Sequence, residues 1–340
     1  MGQHLNILVQ SSEYYAPFAG VMLTSLFENN KEIGTITVYL MTSDMSGKNR
    51  GRFQSLAEQY QRTIKFIDTK EIDCFLENHQ APRYHGAYTP YYKIFALSVI
   101  KDEIDRLIYL DSDMVVTGSL SELLNWNLGD NALGMCIDAI PSRYKEIIKC
   151  DSQFYYNTGM IVFNVKRWNK TRGMDRVINH LTNVWNAYPV VEQDLLNIIF
   201  SGEIATLPQK YNLNTGTMIF PEYNLFKKVY GVRNYYSNDE FIHAIEEPII
   251  VHYIGPFNTR PWLDSNLPAQ YWPAKKLWRE QHAQSLWNDI PAIYHKMPII
   301  SRVQFIMYRI LPNGLFAIVH QSCIYISLLW KARRLGLKND

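Results

Sequence analysis

Residues 106–116 read RLIYLDSDMVV. The apolar run Leu107–Leu110 ends in two aspartates, Asp111 and Asp113, and a second apolar run follows. In an open α/β sheet ligands bind at the carboxyl ends of the strands, which is where these aspartates stand. Residues at i and i+2 of an extended segment point to the same side. Two carboxylates on one side repel unless a cation lies between them, and their hard oxygens suit magnesium or manganese, which also bind diphosphate oxygens. A D-x-D alone is equally a solvated strand-end turn, so its surroundings decide.

Upstream, strand-like and helical runs alternate. Asn6–Gln10 reads as a buried strand. Phe18–Asn29 has helical spacing, with Val21, Leu23, Leu26 and Phe27 on one face. Ile36–Met41 is strand-like, Ser46 opens a helix to about Tyr60, and Ile64–Ile67 is strand-like again. Thr89 and Pro90 predict a helix start, a hydroxyl N-cap followed by proline at the first helical position. Downstream, Leu133–Ile137, Met160–Asn164 and Ile249–His252 read as strands, with a long helix over Thr171–Asn186 and a shorter one over Glu192–Phe200. The alternation predicts a mainly parallel α/β sheet. There is no internal repeat or low-complexity linker, so residues 1–265 are expected to form one catalytic domain, with a helical region over 266–340.

With 340 residues and 47% hydrophobic content the chain has material for a large core. The 34 basic and 32 acidic residues nearly cancel, which argues against a nucleic-acid partner. Cys74, Cys136, Cys150 and Cys323 form no C-x-x-C pair; reduced thiols and a cytoplasmic location are expected. The start, MGQHLNILVQ, lacks the features of a secretory signal, and Gly2 is not accompanied by the Ser or Thr of a myristoylation pattern. Twenty-three Tyr, 15 Phe and 8 Trp suit core packing and carbohydrate platforms alike, and composition does not separate the two.

The tail has a different character. From Ile299 the only acidic residue is Asp340, against Arg302, Arg309, Lys331, Arg333, Arg334 and Lys338. Between them lies LFAIVHQSCIYISLLW, interrupted by His320, Gln321 and Ser322, which falls short of a spanning run. Basic residues beside Phe305, Tyr308, Phe316 and Trp330 suit an anionic membrane surface. The alternative is a C-terminal helix packed on the domain or a dimer contact.

Three further stretches give the aspartates context. In VHYIGPFNTRPW (251–262), His252 ends an apolar strand and Arg260 sits in the loop that Gly255 and Pro256 open. An imidazole completing a carboxylate site shifts preference toward manganese, and a guanidinium neutralises phosphate oxygens. In YYNTGMIVFNVKRW (155–168), Asn157 and Gly159 precede a strand. In EQDLLN (192–197), Glu192, Gln193 and Asp194 open a helix; acidic residues there are also simple dipole partners, while the Gln193 amide both donates and accepts.

The ordered set ILVQSSEYY, YLDSDMVV, NTGMIVFN, EQDLLN and HYIGP…RPW resembles glycosyltransferase family 8, nearest to bacterial lipopolysaccharide α-galactosyl- and glucosyltransferases, over about residues 5–265. The resemblance implies a GT-A fold, a Rossmann-like mixed sheet flanked by helices. It implies a UDP-hexose donor, manganese with magnesium as the alternative, and retention of anomeric configuration. By position, Asp111, Asp113 and His252 would hold the metal, Tyr15 would stack on the base, and His85 would line the nucleotide pocket. Asp138 and Asn157 would lie near the donor sugar, Glu192 and Gln193 would contact it, and Gly255 and Arg260 would hold the diphosphate. Three donor-side positions depart from the family pattern. Ser12 stands where relatives often carry a uracil-reading aspartate, Lys93 replaces an arginine near the phosphates, and Glu192 replaces an aspartate. The segment after Gly255 is also longer than in the galactosyltransferases.

The expected partners are a nucleotide-sugar donor, a saccharide or glycolipid acceptor and the inner face of the cell membrane. Retention suggests a carboxylate nucleophile. The residue beside the reacting carbon is instead Gln193, an amide and a poor nucleophile, so the resemblance implies a front-face displacement. Two rivals remain at this stage. DSDMVV also fits the D-x-D-x-V opening of haloacid-dehalogenase-type phosphatases, whose first aspartate is a nucleophile, but no Asp-Asp pair follows. A non-catalytic saccharide-binding protein on a degenerate transferase fold is the other.

Overall fold

Strands buried on both faces read as continuous apolar runs rather than alternating ones, and this accounts for the strands legible in the sequence. The computed structural model describes residues 4–84, 86–100, 104–184, 187–257, 260–264, 268–291, 295–296 and 298–337. The strands that frame the site are β1 (His4–Gln10), β2 (Thr35–Thr42), β3 (Thr63–Asp68), β4 (Arg106–Leu110), β5 (Met114–Val116), β6 (Leu133–Ile137), β7 (Tyr156–Asn164), β8 (Ile204–Thr206), β9 (Leu213–Asn214) and β10 (Ile250–His252). One seven-stranded sheet has the order β3-β2-β1-β4-β7-β6-β8. Its first four strands are parallel, β7 runs antiparallel to β4 and to β6, and β8 is parallel to β6. The sheet is therefore mixed, with the parallel part at the amino-terminal side.

Successive strand residues enter two cores. Ile7, Val9, Ile108 and Leu110 face one, and Leu8, Leu107 and Tyr109 the other. A second sheet, β5-β10-β9, begins at Met114, after the three residues that follow the carboxyl end of β4. Ser46 caps the helix Gly47–Gln59 by accepting from the Asn49 amide, as its hydroxyl predicts.

Some expectations change. The first helix, Ala16–Glu28, is buried all round rather than on one face, with Val21 and Leu23 entering different cores. Thr89 does not cap a helix from outside; it begins a 3-10 turn, Thr89–Tyr91, that leads into Tyr92–Val99. The long helix expected over Thr171–Asn186 begins two residues later, at Gly173, and changes pitch along its length. Asn164 caps Val165–Lys170, Arg172 adopts a left-handed backbone at φ 54°, and Gly173–Asn179 then passes into a π turn over His180–Val184.

Beyond residue 265 the chain returns to the core. Trp278, on the helix Trp272–Gln284, packs against Phe18 and Trp262. Trp287 is fully buried, lies 4.6 Å from Phe53 and donates its Nε1–H to Asn49 at 2.8 Å. The last helix, Asn313–Arg334, has 22 residues and is long and apolar enough to cross a membrane by length and composition, so the length argument against spanning fails. One face nevertheless packs on the rest of the molecule through buried Phe316, Ala317, His320, Leu328 and Ala332. Its other face, with the preceding helix Ile299–Ile310, exposes Ile299, Ile300, Val303, Ile306, Ile310, Ile318, Ile326 and Trp330. Lys338 lies outside the described residues.

A Cβ at Gly20 would lie 2.2 Å from the buried Trp287 ring, whereas one at Gly51, inside the Gly47–Gln59 helix, meets nothing within 4 Å. Gly20→Ala is expected to destabilise the protein by about 1–3 kcal/mol through overpacking. Gly51→Ala should stabilise it by about 0.5–1 kcal/mol, the helix-interior cost of glycine. Urea unfolding of the two variants checks both signs.

Candidate active site

Backbone pairing brings the aspartates and the histidine together. The Asp111 amide donates to Gly159 O at 2.8 Å, continuing the ladder between β4 and β7. The chain then turns, with Ser112 Oγ donating to Gln10 O at the end of β1. β5 pairs with β10 so that Met114 faces His252, and the Tyr253 amide donates to Asp113 O at 2.9 Å. His252 Nε2 lies 3.2 Å from Asp113 Oδ1 and 3.7 Å from Asp111 Oδ2. One ligand atom from each of the three side chains falls within 4.8 Å of the others. Asp113 and His252 are buried and Asp111 is half-buried. The imidazole rests against β7, where a Cβ on Gly159 would approach its Cε1 to 2.3 Å; only glycine leaves room there.

The hydrogen-bond network assigns the histidine tautomer. The Gly159 amide can only donate, and it meets Asn157 Oδ1 at 2.8 Å. Asn157 Nδ2 therefore faces Asp138 Oδ2, at 3.2 Å. Asn212 Nδ2 donates to the same Asn157 oxygen at 2.8 Å, which leaves Asn212 Oδ1 facing His252 Nδ1 at 2.9 Å. The proton belongs on Nδ1, and Nε2 turns its lone pair toward two carboxylates. Such a donor set needs a positive centre among it, and two carboxylates with one imidazole fit a divalent cation.

Arg260 adds positive charge beside this cluster. Its Nη2 is 3.2 Å from Asp113 Oδ2 and its Nη1 3.5 Å from the Tyr15 hydroxyl. Burial would raise the Asp113 carboxyl, but His252, charged and protonated on Nε2 as well when no cation is present, and Arg260 outweigh it and hold the pKa at about 2. Tyr15 stands at the amino end of the first helix, and the Ser12 hydroxyl accepts from its amide at 3.4 Å.

On the opposite side, Lys93 is 2% exposed. Its ammonium donates to Glu192 Oε1 at 3.1 Å and Thr158 O at 3.2 Å, lies 3.5 Å from Asp111 Oδ1, and sits 4.4 Å from the Tyr109 ring centroid. Burial would lower its pKa, yet the Asp111 and Glu192 carboxylates raise it, so Lys93 is held charged. Burial likewise raises the Glu192 carboxyl, although Lys93 pulls the other way. Gln193 is fixed at both ends: Nε2 donates to Asp138 Oδ2 at 2.8 Å, and Oε1 accepts from the Thr158 amide at 3.1 Å and from Asn157 Nδ2 at 3.3 Å.

Asp194 faces away from these groups. Its carboxylate accepts 2.5 Å bonds from the Tyr144 and Tyr155 hydroxyls and one from the Val190 amide at 2.8 Å. Burial raises its pKa to about 6 despite the three donors. Val191, just before Glu192, has φ 31°, a costly backbone for a β-branched residue. The three bonds to Asp194 hold this strained helix start in place.

The structure thus brings Asp111, Asp113, His252, Arg260 and Tyr15 to one side of a continuous polar cluster, and Lys93, Glu192, Gln193, Asp138 and Asn157 to the other. Gly255 is exposed beyond β10 with φ 154°. His85 lies outside the described residues; near it, Tyr84 is close enough to Arg260 and Asp113 for both to act on its hydroxyl. Sequence reasoning missed Asn212, Thr158, Tyr109 and the Tyr144–Tyr155 pair. The available signal for Asn212 was two asparagines in KYNLNTG, 210–216, placed before a glycine.

Residues 6–266 match the profile of glycosyl transferase family 8. A lipopolysaccharide 1,2-glucosyltransferase of Escherichia coli is 28% identical over 289 residues, 82% of this chain and 78% of that protein. A lipopolysaccharide 1,3-galactosyltransferase of Salmonella typhimurium is 25% identical over 252 residues, 72% and 68% of the two chains. Among solved structures, the bifunctional glycosyltransferase WbbM superposes with a TM-score of 0.69 at 19% identity, over 86% of this chain and 52% of that one. This chain thus spans about half the length of WbbM. The galactosyltransferase LgtC, in complex with donor and acceptor sugar analogues, gives 0.63 at 22% identity over 83% and 96%. The architecture is the GT-A fold, and neither the phosphatase nor the non-catalytic reading is favoured.

Asp194 makes a signed pH prediction. Its folded pKa is raised above the usual value of 3.8 to about 6. The folded state therefore holds a proton that the unfolded chain releases earlier, and this contribution is present below pH 4 and lost as pH rises through 6. Relative to Asp194→Asn, the wild type should lose on the order of 3 kcal/mol between pH 4 and pH 7. Urea unfolding of both proteins across that range measures the difference; a constant difference would show that Asp194 does not titrate there.

Proposed function

The chain belongs to glycosyl transferase family 8, and from that premise we propose that it is a retaining hexosyltransferase, moving galactose or glucose from a UDP-sugar to a saccharide or lipid-linked acceptor in cell-surface glycan synthesis. The observation that carries this reading is the convergence of Asp111, Asp113 and His252 beside the anchored amide of Gln193. The lipopolysaccharide glucosyl- and galactosyltransferases among the relatives support the hexose and the surface glycan.

A divalent cation held by Asp111, Asp113 and His252 would supply positive charge to the departing diphosphate, and the imidazole favours manganese over magnesium. Arg260 offers a guanidinium to phosphate oxygens at the same place, with Gly255 leaving its backbone accessible in the loop before it. Tyr15 and Ser12, at the end of β1, are the candidates to receive the base. Lys93 neutralises Glu192 and Asp111 together, so Glu192 can turn one oxygen to a sugar hydroxyl without an uncompensated charge. Gln193 has its Oε1 fixed by two donors and presents a dipole rather than a nucleophile to positive charge developing on the sugar. The Asp194 carboxylate is taken up by Tyr144, Tyr155 and Val190, which removes it as a nucleophile. Together these favour a front-face displacement, in which the acceptor oxygen enters on the side from which the diphosphate leaves and gives its proton to that leaving group.

The tail is assigned to the inner face of the cell membrane, with the catalytic unit, expected over 1–265, reaching to about 290 on the strength of buried Trp278 and Trp287. The helices Ile299–Ile310 and Asn313–Arg334 turn an apolar face outward, flanked by Arg302, Arg309, Lys331, Arg333 and Arg334. Each basic residue contributes about 1 kcal/mol near an anionic surface. The packed face of the last helix favours lying on the bilayer over crossing it.

Asp113→Asn is expected to abolish transfer, costing at least about three orders of magnitude, roughly 4 kcal/mol in barrier, with folding preserved. A screen of nucleotide sugars with and without manganese, read as hydrolysis and transfer, identifies the donor; near wild-type turnover in the variant would sink the metal reading. Gln193→Ala should lower kcat more than it raises donor KM, and intact-mass spectra should show no glycosyl adduct on Glu192 or Asp194. Because truncation would uncover Phe316 and its neighbours, the membrane assignment is tested by substitution on the outer face. Ile306→Glu with Ile326→Glu should release the protein from anionic vesicles in a flotation assay while donor hydrolysis persists.

A further inference from the structure

Asn212 sits between the metal-ligand cluster and the Gln193 cluster and touches both. It lies just before β9, whose register against β10 sets Asn214 opposite His252. It is 6% exposed, and both ends of its amide are engaged. The oxygen accepts from His252 Nδ1, and the nitrogen donates to Asn157 Oδ1. Asn157 in turn donates to Asp138 and to Gln193 Oε1. The path from imidazole to Gln193 is thus three consecutive side-chain hydrogen bonds between buried groups. Its direction is not free, because the Gly159 amide at one end can only donate and the Asp138 carboxylate can only accept.

We infer that Asn212 is a positioning residue that selects which nitrogen of His252 faces the cation position and locks that choice to the orientation of Asn157 and Gln193. The inference rests on the metal reading above and goes beyond it in assigning a role to a residue outside the ligand set. An imidazole ligand whose other nitrogen is held by a hydrogen-bond acceptor keeps its ring angle and its lone pair in place. Without the Asn212 oxygen, the Nδ1 proton loses its buried partner, and the Nε2 protonated tautomer, which cannot ligate, becomes competitive. Without the Asn212 nitrogen, Asn157 loses one of its two donors, and the amide that braces Gln193 is held less tightly.

Two substitutions separate the two ends. Asn212→Leu removes both hydrogen bonds at nearly constant volume. Asn212→Asp keeps an acceptor for Nδ1–H and sets a carboxylate oxygen in place of the donor to Asn157. Manganese(II) alone is titrated into the 340-residue protein, with the free ion followed by electron paramagnetic resonance, and kcat and donor KM are measured alongside. The leucine variant is expected to bind manganese about 10–100-fold more weakly than wild type. The aspartate variant should bind it as tightly or more tightly, yet lose kcat with donor KM little changed. If the leucine variant fails to fold, Asn212→Ser, whose short hydroxyl cannot span both partners, carries the same expectation. Wild-type manganese binding in the leucine or serine variant would overturn the inference. So would equal loss in the aspartate variant, since that would mean the site needs the asparagine shape rather than its oxygen. Absence of manganese binding in the wild type is a different result: it removes the metal reading itself. Asp113→Asn, titrated in parallel, shows that a bound ion reports on this site.

Discussion

Asp111 and Asp113 leave one strand end for a common point, and His252 turns a nitrogen toward it from a second sheet at 3.2 and 3.7 Å. Left to themselves these groups would repel, and much of the surrounding architecture answers that repulsion. Arg260 approaches from the loop beyond β10, and Lys93 from beneath, buried where an uncompensated ammonium would not stay. The antiparallel pairing of β5 with β10 makes the convergence a matter of backbone register, because a slip of one residue would turn His252 to the other face. Glycine at 159 then allows the ring to lie flat against β7. The cluster is held between strands: His252 ends β10, and the two aspartates lie in the short turn that joins β4 to β5.

The parts of this arrangement that were legible in the sequence are those written locally. Leu107–Leu110 is apolar on both sides because both cores claim it, and the aspartates follow directly. His252 was readable as the end of a short apolar run, and Gln193 as the middle of a helix start. Asn212 was not readable in this way. Its partners are 40 and 55 positions away, and an asparagine beside a strand is ordinary turn chemistry until tertiary contact gives it direction. The later start of the helix after Arg172 was hidden for a related reason. The residues of 171–186 tolerate a helix from their first position, and it is the separate helix Val165–Lys170, capped by Asn164, and the left-handed backbone of Arg172 that delay it to Gly173. Trp287 carried no local sign of its burial; its place is set by the absence of a side chain at Gly20.

The carboxyl-terminal region belongs to two environments at once. Phe316, Ala317 and His320 continue the aromatic cluster around Phe220, Phe226 and Tyr230, while Leu328 and Ala332 join the core that contains Tyr144 and Tyr155. Those two tyrosines hold Asp194 and through it the helix start that carries Gln193. The last helix is therefore a strut for the catalytic wall as well as a surface facing outward, and the mean hydropathy of the segment alone does not distinguish these roles.

Lys93 and Glu192, which both depart from the family pattern read in the sequence, meet in the structure at 3.1 Å. Each differs from the residue it replaces in reach, and the two differences offset one another: a shorter cation against a longer anion. With Lys93 2% exposed there is no solvent to absorb a mismatch at this point. A guanidinium at 93 would have to displace Glu192, and an aspartate at 192 would draw back from the ammonium, leaving it Asp111 and the Thr158 carbonyl. The two positions therefore behave as a single mutational unit. A change of length at one is felt at the other, because the buried ammonium is left with Asp111 and the Thr158 carbonyl whenever Glu192 withdraws.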